Sequence, residues 1–239
     1  MPVIPDPSQN HILAALSETV RKRIFPRLRL EEVRLGDVIY ESGEVIDFIY
    51  FPTDCIISLL YVTLNGSSAE LSVVGKDGMA GVAVFMGSES TPNRAVVQSH
   101  GFAYRMPAHE LKEEFDNDAG VRVLTLRYIQ ALITQMSQTA VCNRHHSIDQ
   151  QLCRWLLLSL DRLGGNELTM TQELIAGMLG VRREGVTEAA GKLQKLGVIR
   201  YHRGHISVID RPQLEALCCE CYEVVKRETY RLESVRKAG

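Results

Sequence analysis

The stretch Thr171-Gln-Glu-Leu-Ile-Ala-Gly-Met-Leu-Gly-Val-Arg-Arg-Glu-Gly-Val-Thr-Glu-Ala-Ala-Gly-Lys-Leu-Gln-Lys-Leu-Gly-Val-Ile-Arg200 decides how this chain is read. Leu174, Ile175, Met178 and Leu179 recur at helical spacing and stop at Gly180, a residue that can close a helix in the left-handed conformation. Val186, Ala189, Ala190 and Leu193 repeat the pattern one turn later, so the spacing predicts two short helices meeting at Gly180-Val181. Arg182, Arg183, Glu184, Thr187 and Glu188 then face outward from the start of the second helix, where side chains can reach base edges in a major groove. Beyond it, Gly197 to Ile209 alternates in short apolar runs around Arg203-Gly204, the pattern of a hairpin. A glycine between two helices occurs in many bundles, and adjacent arginines often mark only a solvated face. The order helix, turn, helix, hairpin is more specific and points to a winged helix-turn-helix. Residues 171–211 hold seven basic and four acidic side chains, a surplus small in one chain and doubled in a dimer.

Composition bounds the rest. The 239 residues are 45% hydrophobic, enough for two cores, and the net charge of -2 excludes a general polyanion binder, so any nucleic-acid contact must be local. The longest apolar run, Trp155 to Leu160, is far short of a membrane span, and Met1 to Pro7 lacks a basic, hydrophobic leader; a cytoplasmic protein is expected. Six irregularly spaced cysteines then read as free thiols. Neither a Gly-x-Ser-x-Gly elbow, a phosphate loop nor a spaced His/Glu metal pair is present, which argues against an enzyme.

Outward from the opening stretch, the chain divides into an α+β arrangement of three parts: 1–116, 117–146 and 147–239. Residues 1–10 read as a polar tail and His11 to Leu28 as one helix. From Val33 to Met106, β-rich runs (Val38 to Tyr40, Phe48 to Phe51, Ile56 to Val62, Leu71 to Val74, Ala95 to Val97, Phe102 to Tyr104) alternate with glycine turns at the spacing of a small barrel or roll. A short helix at Ala108 to Phe115 precedes a longer one from Val121 to about Cys142, with an N-cap at Asn117 or Asp118. Leu124, Tyr128, Ala131, Ile133, Gln135 and Met136 lie near heptad spacing on it and suggest a dimer seam. Asn143 to His146 reads as a polar hinge, Ser147 to Leu163 as a helix, and Pro212 to Val235 as a single amphipathic helix.

Taken together, the order roll, long helix, hinge, winged helix resembles the Crp/Fnr family of bacterial transcription regulators over nearly the whole chain. The resemblance is strongest from Thr171 to Ile199, where Leu174, Gly180, Val186, Leu193 and the Gly197-Val-Ile exit fall in the family register. It implies an N-terminal double-stranded, jelly-roll-like β-roll of the cyclic-nucleotide-binding kind, a dimerisation helix, and an Arg-Glu reading pair, here Arg183-Glu184. Arg183 can donate two bonds to guanine and Glu184 can accept from a cytosine amino group. Thr171, Gln172 and Arg182, at helix starts, suit phosphate. Thr187, Lys192 and the wing residue Arg203 complete the expected DNA-facing set. Glu188 stands where the family commonly has a third reading arginine, so a different operator is expected. The resemblance implies a homodimer on a pseudo-palindromic duplex, and allows RNA polymerase and a small-molecule effector as further partners. An interaction module using its winged helix only for protein contacts is the alternative.

In the family's nucleotide-binding members, a Gly-Glu pair binds the ribose hydroxyl and a later arginine binds the cyclic phosphate. Here the stretch is Gly78-Met79-Ala80-Gly81, then Arg94-Ala95. Met79 in place of the glutamate removes an acceptor, a loss of about 1 to 3 kcal/mol for a buried hydroxyl, so the expected effector is not cyclic AMP. Arg94 reads either as an anion ligand beside the glycine turn or as a structural ion pair. No cofactor or metal is expected. Iron–sulfur members carry N-terminal cysteines, whereas the first cysteine here is Cys55, and Cys218, Cys219 and Cys221 on one helix would diverge. His145-His146 reads as a solvated hinge.

Overall fold

The computed structural model describes residues 4–236, with side chains through residue 231. Residues 1–3 of the expected tail and 237–239 of the expected C-terminal part lie outside the described residues. The N-terminal half is a roll of two antiparallel sheets. Its strands are β1 (Arg29–Val33), β2 (Val38–Tyr40), β3 (Phe48–Pro52), β4 (Ile56–Val62), β5 (Ser68–Val74), β6 (Arg94–Ser99) and β7 (Gly101–Pro107). One sheet runs β1-β7-β3 and the other β2-β6-β4-β5. Between them pack Ile49, Phe51, Ile57, Leu59, Ala95, Val97, Ala103 and Met106, all nearly inaccessible.

The expected helix over 11–28 is in fact two, α1 (His11–Ala14) and α2 (Glu18–Ile24), followed by a 3-10 turn at Phe25–Arg27. Ser17 adopts an extended backbone and its hydroxyl accepts from the Val20 amide, starting a new helix where the apolar periodicity alone suggests continuity. The tail is also tied down. Asn10 caps α1 and its amide donates to the carbonyls of Pro52 and Gly78 at 2.9 and 2.8 Å.

After α3 (Ala108–Asn117), Asp118 caps α4 (Ala119–His145), the 27-residue helix at the centre of the molecule. One face of α4, including Val121, Leu124, Tyr128, Leu132 and Gln135, is buried, and Gln135 Nε2 donates to the Val73 carbonyl. The expected seam is therefore corrected: Leu124, Tyr128 and Gln135 are spent on the chain's own packing. Ile133 of the expected seam is exposed, in line with Val123, Leu126, Gln130, Ser137 and Ala140, all spaced alternately three and four residues apart. That is an a/d stripe. The hinge is corrected too, because Asn143 to His145 are helical and only His146 leaves the helix, with an extended backbone.

The C-terminal half begins with α5 (Ile148–Leu163), opened by a capping box between Ser147 and Gln150. There follow β8 (Glu167–Thr169), α6 (Gln172–Leu179), α7 (Arg183–Lys195), β9 (Ile199–His202), β10 (His205–Val208), α8 (Arg211–Leu217) and α9 (Cys221–Arg236). The wing is a three-stranded sheet, β8-β10-β9, whose tight turn uses Arg203 and Gly204 at φ 49° and 83°. The single helix expected from Pro212 to Val235 is broken at Cys218, which is extended at ψ 159°.

The two halves share a core. β4 is buried on both faces: Ile57 and Leu59 point into the roll, while Ile56 and Leu60 join Leu152, Trp155, Leu156 and Ile175 of the C-terminal half. A continuous apolar strand is what two-sided burial requires.

Candidate DNA interface and effector loop

α6 and α7 form the expected angle. Thr171 caps α6 by accepting from the Leu174 amide, and Gly180 ends it at φ 66°. Ile175, Met178 and Leu179 face Val186, Ala189, Ala190 and Leu193 in one buried cluster, with Val181 packed against it. Leu174, expected inward, is 39% exposed. The Thr187 hydroxyl, 2.7 Å from Gln172 Oε1, pins the two helices together.

The opening of α7 carries the chemistry. Arg182 is its N-cap residue and offers no side-chain cap, so first-turn amides and the positive end of the helix dipole are open to an anion. Arg182, Arg183 and Glu184 are exposed. Among the described residues, Arg182, Arg183, Arg200 and Arg203 form no ion pair, whereas Arg23, Arg27, Arg94, Arg105, Arg162 and Arg211 each do. The contrast with Lys192 is informative. Its amine bonds to Glu188 at 3.0 Å and Asp149 at 3.1 Å, which hold it above the ordinary lysine value. Glu188 thus lies beside a cation of its own helix on the exposed face of α7.

The loop expected to hold an effector packs closely against the rest of the chain. Met79 is 1% exposed and lies in the roll core. The Tyr128 hydroxyl donates to the Met79 carbonyl at 3.0 Å, and burial drives that phenol well above its ordinary pKa. Gly78 is a close-approach glycine: a Cβ there would fall 2.3 Å from Tyr128 Oη. Ala80 pairs with Tyr50 through both backbone groups, and Gly81 backs onto Ile49. Arg94, at the start of β6, is engaged by Glu41 at 3.0 Å, while Ala95 is fully buried. On the other side of the loop, Arg162 of α5, 5% exposed, joins Asp77 at 2.9 Å and Gln135 of α4 at 2.9 Å.

A cluster that sequence reading dismissed also forms. Because Cys218 breaks the helix, Cys219 and Cys221 turn to the same side and meet Cys142 and His146 at the end of α4. The sequence signal is Cys-x-x-x-His at the end of a long helix together with Cys-x-Cys after a break.

Residues 30–118 match the family model described as a cyclic nucleotide-binding domain, and residues 150–217 match that described as a Crp-like helix-turn-helix domain. A search of curated protein sequences gave no match. Among solved structures, a putative transcriptional regulator of the Crp/Fnr family from Eubacterium rectale superposes with a TM-score of 0.67 at 22% identity, covering 84% of this chain and 94% of that one. FixK2 from Bradyrhizobium japonicum superposes at 0.68 with 14% identity, covering 80% and 98%. The regulator CLP of Xanthomonas campestris, described as c-di-GMP responsive, gives 0.63 at 12% identity, covering 81% and 100%. A roll followed by a winged helix-turn-helix defines a transcription regulator and not an enzyme. The chain belongs to the Crp/Fnr family. No helix among the described residues is long and apolar enough to cross a membrane.

Proposed function

We propose that this regulator is a cytoplasmic homodimer that inserts α7 into the major groove at each half of a pseudo-palindromic operator. In this reading residues 1–116 sense, 117–146 pair and 147–239 read. Arg183 takes guanine, Glu184 takes a cytosine amino group, and Arg182, Thr171 and Arg203 hold phosphates, with Lys192 held in reserve by Glu188. The observation that carries the proposal is the uncapped, exposed start of α7, whose two arginines have no partner among the described residues. Cations at a helix end that hold no carboxylate have no ion pair to break before they meet a phosphate. The exposed a/d stripe on α4 supplies the pairing surface. Control comes from an effector other than cyclic AMP, because the buried Met79 offers no carboxylate and the Gly78 to Gly81 turn is occupied by Tyr128 and Ala80 contacts.

The test is selection of duplexes from a random library, then fluorescence anisotropy on the selected sequence. Arg183→Ala should weaken binding by roughly 5- to 150-fold per half-site, the equivalent of 1 to 3 kcal/mol, with unchanged thermal unfolding. Equal affinity for both proteins, or binding without salt dependence, would favour the protein-interaction reading. Calorimetry with cyclic AMP should give no heat; micromolar binding overturns the effector assignment.

A further inference from the structure

Four soft donors converge at the end of α4. Cys142 comes from the last turn of α4 and His146 from the extended residue that follows that helix, Cys219 from the break between α8 and α9 and Cys221 from the start of α9; their ligating atoms all lie within 4.8 Å of one another. Cys142 Sγ is 3.6 Å from Cys219 Sγ, and Cys221 Sγ is 3.6 Å from His146 Nδ1. A tetrahedral ion with Zn–S near 2.3 Å and Zn–N near 2.05 Å requires ligand separations of about 3.8 Å between sulfurs and about 3.6 Å between sulfur and nitrogen. We propose that Cys142, His146, Cys219 and Cys221 form a closed tetrahedral site for a single zinc-class transition-metal ion. An iron–sulfur cluster places its ligand sulfurs around a multi-atom core and needs a wider ring than these four atoms make.

Two neighbours complete the site as metal chemistry would. His146 Nε2 lies 3.3 Å from Glu220 Oε2, leaving Nδ1 to face the sulfurs. A carboxylate on the far nitrogen fixes the tautomer and orients the ring for a metal. Arg154 of α5 is only 4% exposed, donates to Thr139 Oγ1 at 3.2 Å, and forms no ion pair among the described residues. A buried guanidinium is costly without a counter-charge, and burial pushes the carboxyl of its acidic neighbour Glu70 up to about 7. The Arg154 charge acts on both Cys142 and Cys221. Three thiolates, a neutral imidazole and a dication sum to one negative charge, which Arg154 balances. Binding requires each thiol to release its proton to solvent, so uptake is proton-coupled.

The site stands whether or not the chain reads DNA; only its consequence rests on the function proposed above. It would tie the last turn of α4, beyond the pairing stripe, to α9 of the reading half, across the His146–Ser147 break. Metal occupancy would then fix where the reading head sits.

Full-length protein purified under reducing conditions from zinc-supplemented cells should carry one zinc per chain by elemental analysis. After stripping, cobalt(II) titration should give thiolate charge-transfer bands and intense visible bands of a tetrahedral site, saturating at one equivalent. Cys219→Ser and Cys142→Ser should abolish both, while Cys55→Ser, in the roll, should not. Serine in a buried cluster can unfold the protein, so Glu220→Gln, at an exposed carboxylate, is the second variant; it should weaken zinc roughly tenfold or more with unchanged unfolding. Substoichiometric zinc with no cobalt charge transfer overturns the site, as does an iron–sulfur chromophore with labile sulfide. Stoichiometric zinc with operator affinity identical in the loaded and stripped protein supports the site and refutes its link to the reader. Absence of operator binding in both forms rejects the function reading alone.

Discussion

Glu70 offers the most quantitative test of how the two halves are joined. It sits on β5, 8% exposed, at the shared core. Burial raises its carboxyl from the ordinary 4.5 to about 7, against the opposing pull of the Ser58 hydrogen bond and the Arg154 and Arg162 charges. The hydrogen bonding explains why a proton belongs there. Ser58 Oγ lies 2.6 Å from both Glu70 Oε2 and Gln98 Oε1, and it has a single proton to give. The chain closes when protonated Glu70 donates to Ser58, Ser58 donates to Gln98 Oε1, and Gln98 Nε2 donates to Ser159 Oγ of α5 at 3.2 Å. Below pH 4.5 both folded and unfolded chains are protonated and the stabilisation is complete. Between 4.5 and about 7 only the unfolded chain ionises, so stability falls as pH rises and the loss is complete above the folded value. At about 1.36 kcal/mol per pH unit, that interval is worth about 3 kcal/mol. Glu70→Gln keeps the shape and a donor for Ser58 and cannot ionise. Urea unfolding of both proteins from pH 4.5 to 8.5 should show the variant gaining on the parent with rising pH, by an amount of this order. A difference that stays flat across the range would refute the argument.

Gly78→Ala places a methyl 2.3 Å from Tyr128 Oη and 2.5 Å from its ring, so the roll must part from α4; denaturant unfolding should show a loss of about 1 to 3 kcal/mol, the usual cost of overpacking. Leu126 and Ile133 are each 48% exposed on the single chain. Leu126→Glu with Ile133→Glu should therefore convert a dimer to a folded monomer by light scattering, with an unchanged circular dichroism spectrum; a persisting dimer would place the seam elsewhere.

What the sequence made legible is what short-range pattern controls. Thr171, Gly180 and the apolar residues between them are settled within a few turns, and six of the seven roll strands announce themselves as β-branched or aromatic runs. β1 and β8 escaped because they are charged, solvent-facing strands: β1 reads Arg-Leu-Glu-Glu-Val and β8 Glu-Leu-Thr. Their pairing with β7 and β10 is a tertiary fact. The seam was misassigned for a different reason. α4 has two apolar faces, and periodicity cannot say which one the chain keeps for its own roll. The metal cluster failed at a single residue, since the extended backbone of Cys218 turns three divergent thiols into a pair that converges with Cys142.

The segment from Gly75 to Gly81 is where these separate findings meet. Its glycines leave room for two large side chains from other elements: Tyr128 of α4 packs on Gly78, and Arg162 of α5 packs on Gly75 and pairs with Asp77. Asn10 reaches the same loop from the N-terminal tail. A change in this loop therefore cannot remain within the roll. Moving Met79 or Gly78 disturbs the Tyr128 hydroxyl and with it the packing of α4 on the roll. Moving Asp77 strips a 5%-exposed guanidinium of its carboxylate, a perturbation felt by α5, on which α7 is packed. Under the function proposed above, an effector with unequal affinity for two positions of this loop would shift both helices. The bond from Arg162 to Gln135 makes α4 and α5 respond together.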